Sequence, residues 1–193
     1  MSTTLPDRFD LTRDLLEVGK DALVVGGIGN ATFDLFGAED RDTNFYMMGS
    51  MGLAIPIALG LALAQPDRTV IALEGDGSLL MNLGCLATVG QQAPENLTIV
   101  IWENSIWQLT GGQRLASAET TDLAAVAAAC GIGNVHRPRD HETFTSIVRH
   151  ALDAPGPHVL CVPINPGPAR ASHHVDPIWL KHRFMRNLGI VPD

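Results

Sequence analysis

An acid and an amide, Asp76 and Asn104, stand just beyond two apolar runs and are the side chains best placed for chemistry. The first run, Val70 to Leu73, breaks off into Gly75-Asp76-Gly77-Ser78; the second, Leu97 to Trp102, breaks off into Glu103-Asn104. If the two runs are parallel strands joined by a helix, both side chains reach the carboxyl edge of one sheet, where open α/β sheets bind ligands. A carboxylate oxygen and an amide oxygen are hard donors, suited to a Mg2+ ion that shares its octahedron with phosphates. The carbonyl of a residue just after Asn104 can add a third protein oxygen. Gly75 and Gly77 let the backbone approach a diphosphate without a Cβ clash. Ser78 begins the next helix, whose free N–H groups and dipole favour an anion. The tetrapeptide alone also reads as a turn in which Asp76 caps a helix. The second strand end shifts the reading toward a site.

A sheet must hold these residues, and the flanking segments supply it. Phe9 to Val18 has the spacing of a short amphipathic helix, and Ala22 to Val25 that of a strand. That strand runs into Gly26-Gly27-Ile28-Gly29-Asn30, which lacks the third glycine of a dinucleotide fingerprint and reads as a tight turn into a helix at Ala31. Phe45 to Met48 is a short extended segment, followed by a Gly49–Gly52 turn and a small-residue helix, Leu53 to Ala64. Its Ala and Gly residues allow close packing against a sheet or another subunit. A helix follows Ser78. Thr121 to Cys130 is an alanine-rich helix with Thr120, Thr121 or Asp122 as N-cap. Val135 to Arg137 and His158 to Ile164 read as strands, with an amphipathic helix at Thr143 to Leu152 between them. Prolines 163, 166 and 168 then extend the chain toward a terminal helix at Pro177 to Asn187.

Strands alternating with helices, at spacings too long for hairpins, imply an α/β, doubly wound, mostly parallel sheet with helices on both faces. The expected organisation is a single domain over 1–193, with an extended tail and helix from about residue 165. A formal charge of −8 argues against nucleic acid or an acidic membrane surface as partner. Cys85, Cys130 and Cys161 are odd in number and widely spaced, without an iron–sulfur, zinc or disulfide pattern. The N-terminus carries no apolar signal region, and the longest apolar stretch, Met51 to Ala64, is too short to span a bilayer. These features read as a cytoplasmic protein.

Taken with the upstream Gly49-Ser50-Met51-Gly52, the interval of 26 residues from Ser78 to Glu103 before Asn104 resembles a known pattern. It is similar to the metal and diphosphate motif of thiamine diphosphate enzymes. Thr110-Gly111-Gly112-Gln113 and the length resemble, within that family, the cofactor-binding part of 2-oxoacid decarboxylases of the sulfopyruvate and phosphonopyruvate type. The resemblance implies thiamine diphosphate and Mg2+ as cofactors. Asp76 and Asn104 would ligate the metal through side chains and Ile106 through its carbonyl, while Gly75, Gly77 and Ser78 lie along the diphosphate. The Gly49 carbonyl, beside Ser50, would accept a hydrogen bond from the aminopyrimidine amino group, and Met51 would hold the cofactor bent. Family members often carry glycine where Ile106 stands, so a positive φ there would be strained.

The same resemblance implies an activating glutamate from a different domain, hence a second, PYR-type subunit and a hetero-oligomer. Glu74 is read as structural. Arg114 is the candidate for the substrate's second anion, a surface role being the plain alternative. His173, His174 and His182 are read as surface or interface residues. Two other readings are a 2-oxoacid oxidoreductase or synthase subunit and a non-catalytic nucleotide or flavin module. The first lacks its cysteine clusters, and the second leaves the Asp76–Asn104 spacing unexplained.

Overall fold

The computed structural model describes residues 5–190, so the outermost residues of the expected 1–193 domain lie outside the described part. In chain order the elements are α1 (Arg8–Val18), β1 (Leu23–Gly26), α2 (Asn30–Ala38), β2 (Asn44–Tyr46), α3 (Ala54–Ala64), β3 (Val70–Gly75), α4 (Asp76–Leu80) and α5 (Cys85–Gln92). Then come β4 (Leu97–Glu103), β5 (Ile106–Trp107), β6 (Gln113–Arg114), α6 (Leu123–Ala129), β7 (Asn134–His136), α7 (His141–Asp153), β8 (His158–Pro163) and α8 (Pro177–Asn187). Six strands form one parallel sheet in the order β2-β1-β3-β4-β8-β7. The chain moves outward from β1 to β2 and returns to lay β3 on the other side of β1. That reversal makes the β1–β3 gap the topological switch point, the preferred ligand crevice of such sheets.

The central strands are largely apolar because both of their faces are covered. Val70, Ala72, Ile99 and Ile101 face α3, α5 and α6, whose buried residues include Ile55, Leu59, Leu86 and Leu123. Ile71, Leu73, Val100 and Trp102 face α1, α2 and α7, meeting Leu15, Leu35 and Phe144. Each such side chain contributes about 1.5–3 kcal/mol by leaving water. Helix starts follow the sequence: Asp7, Asp122, Asp140 and Asp176 each accept backbone N–H bonds as N-caps.

Three features depart from the sequence reading. The helical stretch after Ser78 is two helices, α4 and α5, separated by a turn at residues 81–84. A two-stranded antiparallel hairpin, β5–β6, follows β4. The tail also does not leave the body. The Arg170 N–H donates to Asp34 Oδ1 (2.8 Å), whose other oxygen takes the buried Arg8 guanidinium. His173 is half-buried rather than freely exposed: its ring packs at 5.2–5.3 Å from Phe33, Phe36 and Tyr46, against an aromatic recess formed by α2 and β2.

One close approach gives a direct test of the packing. A Cβ placed on Gly90 of α5 would lie 1.9 Å from the Cys130 carbonyl oxygen at the end of α6. Backbone cannot yield as a side chain does, so Gly90→Ala is expected to destabilise the fold by about 3 kcal/mol, the upper part of the overpacking range. A urea midpoint unchanged from wild type would contradict this crossing of α5 and α6.

Candidate functional site

The β3–β4 register pairs Gly75 with Trp102, so Asp76 lies one residue and Asn104 two residues beyond paired positions. Both therefore emerge at the same carboxyl edge. Asp76 is 3% exposed. Its Oδ1 accepts the Gly77 N–H (2.8 Å) and its Oδ2 the Ser105 N–H (2.7 Å). No Lys, Arg or His pairs with it among the described residues. Burial drives its pKa up to about 6, against the downward pull of those backbone N–H groups. A buried carboxylate without a counter-charge favours either a proton or a cation.

Asn104 is held at both ends of its amide. Oδ1 accepts the Ile106 N–H (3.1 Å), and Nδ2 donates to Gln108 Oε1 (3.1 Å). The strained backbone expected at Ile106 falls one residue earlier, on Ser105, with φ 65°. Ile106 itself is extended in β5, because Ser105 makes the turn that returns its N–H to Asp76. Its carbonyl thus needs no positive φ to serve as a ligand.

The turn carrying Met51 is fastened to the same edge. The Gly52 N–H donates to Ser78 Oγ (2.8 Å), and Asn82 Nδ2 donates to the Gly52 carbonyl (2.9 Å). Glu74 accepts the Ala54 N–H (3.2 Å) and the Gly75 N–H (3.3 Å), tying α3 to the end of β3. Gly52 has φ 79°, and a Cβ there would lie 2.6 Å from Asn82 Cβ, so the position requires glycine. The Ser78 hydroxyl oxygen thus anchors the Met51 turn by accepting the Gly52 N–H. Glu74 is structural, as its sequence position suggested; burial raises its pKa. Gly49 and Ser50 are exposed, and Met51 is half-buried against the cavity.

That cavity, about 170 Å³, lies between Asp76, Asn104, Gly77 and Met51. The β5–β6 hairpin roofs it. The Trp107 ring comes within 2.9 Å of where a Gly77 Cβ would stand, and Leu109 within 2.2 Å of a Gly29 Cβ. Ile28 and Asn30 also line it. The Gly26–Asn30 segment is thus a strand-to-helix turn as read, and it also walls the site. The signal for this second role was the neighbouring of β1 and β3, invisible without the strand order. Arg114 does not reach the cavity: it is exposed on β6 and pairs with Glu119 at 2.9 Å.

The residues present fit a magnesium diphosphate. The donor set is all oxygen, one carboxylate lacks a counter-charge, and Gly75 leaves room against the backbone, with nothing nearer than 3.9 Å to a Cβ placed there. Among the described residues no three His, Cys, Asp or Glu gather as a metal cluster. An ion that takes most of its ligands from phosphate and water needs none. Among the described residues no helix is long and apolar enough to cross a membrane.

Comparison with known proteins agrees with this geometry. Residues 27–162 match the family model described as "Thiamine pyrophosphate enzyme, C-terminal TPP binding domain". The chain is 38% identical to the sulfopyruvate decarboxylase subunit beta of Methanocaldococcus jannaschii over 182 residues, covering 93% of this chain and 96% of the relative. It is 44% identical to the phosphonopyruvate decarboxylase of Streptomyces viridochromogenes over 157 residues, 81% of this chain but 39% of that longer protein. Among solved structures it is similar to a Mycobacterium smegmatis protein described as a thiamin diphosphate-dependent enzyme. The TM-score is 0.72 at 27% identity, covering 84% of this chain and 32% of the other.

Proposed function

The chain belongs to the thiamine pyrophosphate enzymes, matching their C-terminal cofactor-binding domain, and from that premise we propose that it is one subunit of a two-chain decarboxylase. The cofactors are Mg2+ and thiamine diphosphate, and the substrate is a small anionic 2-oxoacid of the sulfopyruvate or 3-phosphonopyruvate type, giving an aldehyde and CO2. The observation that carries the cofactor reading is the buried Asp76 carboxylate, facing Asn104 across the β3–β4 edge without a cationic partner. The names of the relatives support the substrate class.

In this reading Asp76, Asn104 and the Ile106 carbonyl hold Mg2+, and Gly75, Gly77 and the Ser78 backbone lie along the diphosphate. Gly49 offers its carbonyl to the aminopyrimidine, and Met51 supplies an adaptable apolar body beneath the rings. When bound, thiamine diphosphate supplies a nucleophilic carbon and an electron sink for the loss of CO2. The hairpin residues Trp107 and Leu109 exclude water from above. Calorimetric titration with thiamine diphosphate, with and without Mg2+, tests the reading. Binding of a flavin or NAD that ignores the metal would sink it.

The second chain enters because Glu74 is committed to Ala54 and Gly75, leaving the exposed Gly49–Ser50 turn to be met by another activating acid. Relatives named as subunit beta support a partner. The docking face is marked by charge. Residues 45–66 and 77–94 contain no Asp, Glu, Lys or Arg, and they expose Leu53, Ile57, Leu63 and Met81. An uncharged apolar face continuous with the site's open turn is costly to leave in water. Ile57→Lys is expected to abolish association with the second subunit while Mg2+-dependent cofactor binding persists. Sedimentation of the mixed chains reads this; an unimpaired complex would move the interface elsewhere.

A further inference from the structure

Asn104 can coordinate a hard cation only if its amide presents oxygen to the site, and its two ends differ by one atom. Two contacts fix that choice. The Ile106 N–H requires an acceptor and selects Oδ1 (3.1 Å); the Gln108 Oε1 requires a donor and selects Nδ2 (3.1 Å). Gln108 is half-buried, lines the same cavity, and lies four residues on, at the first turn of the roof. The Trp107 carbonyl closes that roof by accepting the N–H groups of Thr110, Gly111 and Gly112. The glutamine side chain is therefore carried on a bonded loop that is itself tied to Asp76 through Ser105.

We propose that Gln108 is a positioning residue for the metal: it holds the Asn104 amide so that Oδ1 keeps one lone pair for the Ile106 N–H and turns the other to the cation. This rests on the proposed Mg2+ and thiamine diphosphate reading of the site. A cation drawing electron density from Oδ1 makes the Nδ2 hydrogens better donors, so the bond to Gln108 strengthens when the metal is present. Outer residues that orient a metal ligand are typically worth about 10–100-fold in metal affinity. Truncation at Gln108 leaves Nδ2 without its acceptor and the amide held only by the Ile106 N–H.

The test uses the purified chain, thiamine diphosphate, and Mg2+ or Mn2+, with metal affinity read by calorimetry and by the Mn2+ electron paramagnetic resonance signal. Q108A and Q108M are expected to weaken metal affinity about tenfold, at the low end of that range. Excess metal should restore their thiamine diphosphate affinity to wild type. Q108E keeps an acceptor for Nδ2 and adds a negative charge, so it should bind the metal at least as tightly as wild type. Wild-type metal affinity in Q108A would overturn the assignment, as would equal weakness in Q108A and Q108E. A cofactor defect that persists at saturating metal would instead make Gln108 a cofactor contact, also overturning it. If the wild-type chain takes up no metal with thiamine diphosphate, the cofactor reading itself has failed, an outcome distinct from each of these.

Discussion

Asp76→Ala is expected to abolish Mg2+-dependent binding of thiamine diphosphate while the fold survives. The metal would lose its sole carboxylate among the proposed protein ligands, so the loss should exceed the roughly 10–100-fold typical of an outer residue. The fold survives because the lost contacts are local. The Gly77 and Ser105 N–H groups lose their acceptors, while both hydrophobic layers of the sheet are untouched. A variant that still binds the cofactor only with Mg2+, at wild-type affinity, would remove Asp76 from the site.

The same substitution carries a pH signature in the metal-free protein. Asp76 has a folded pKa near 6 against an ordinary 3.8, because burial disfavours its charge. Between those values the folded chain binds a proton that the unfolded chain has released. The contribution to stability is thus full at low pH and lost as pH rises through 6. A gap of about two pKa units corresponds to roughly 3 kcal/mol. The stability difference between wild type and Asp76→Ala should therefore shift in the variant's favour by about that amount between pH 4 and pH 8. Mg2+ with thiamine diphosphate should recover wild type at pH 8 by binding the folded state alone, and should leave the variant unchanged. Denaturant midpoints across this range, with and without ligand, read both effects. A pH-independent difference would show that Asp76 is not buried as a lone charge.

The site's core was legible because it rests on period and punctuation. Two short, mostly apolar runs bounded by turn residues read as strands covered on both faces, and the residues that end such runs abruptly then sit at the sheet edge. That logic places Asp76 and Asn104 together at one edge. What failed depended on tertiary context. The Ser78 hydroxyl oxygen also accepts the N–H of Gly52, a partner 26 residues away that no local pattern reveals. Arg114 looked poised beside a glycine turn, but it is exposed and its guanidinium pairs with Glu119. His173 reads as a surface or interface residue of a proline-rich tail, and its aromatic recess is not legible because α2 and β2 lie far away in sequence. Glu74 shows the converse. A carboxylate closing an apolar strand was legible as structural, and its partners Ala54 and Gly75 are what make it so.

The purified chain, saturated with Mg2+ and thiamine diphosphate, is expected to show no measurable turnover of sulfopyruvate, phosphonopyruvate or pyruvate, and to gain it on addition of a second subunit. The reason is one of placement. The diphosphate end of the site is closed by Asp76, Asn104 and the hairpin roof, whereas the Gly49–Ser50 turn at the reacting end is exposed, with nothing within 4 Å of a Cβ placed on Gly49. Cofactor activation in this family, by the resemblance, calls for an acid against the aminopyrimidine, and proton transfer by a positioned group contributes about 100- to 10,000-fold. Glu74 cannot swing into that role, since its oxygens hold two backbone N–H groups and it is 1% exposed. The experiment is an aldehyde assay on the chain alone, on the reconstituted pair, and on the pair carrying Ile57→Lys. Binding without turnover in the first, turnover in the second and its loss in the third would place the catalytic acid across the uncharged face. Robust turnover by the chain alone would put that acid within these 193 residues and end the two-chain proposal.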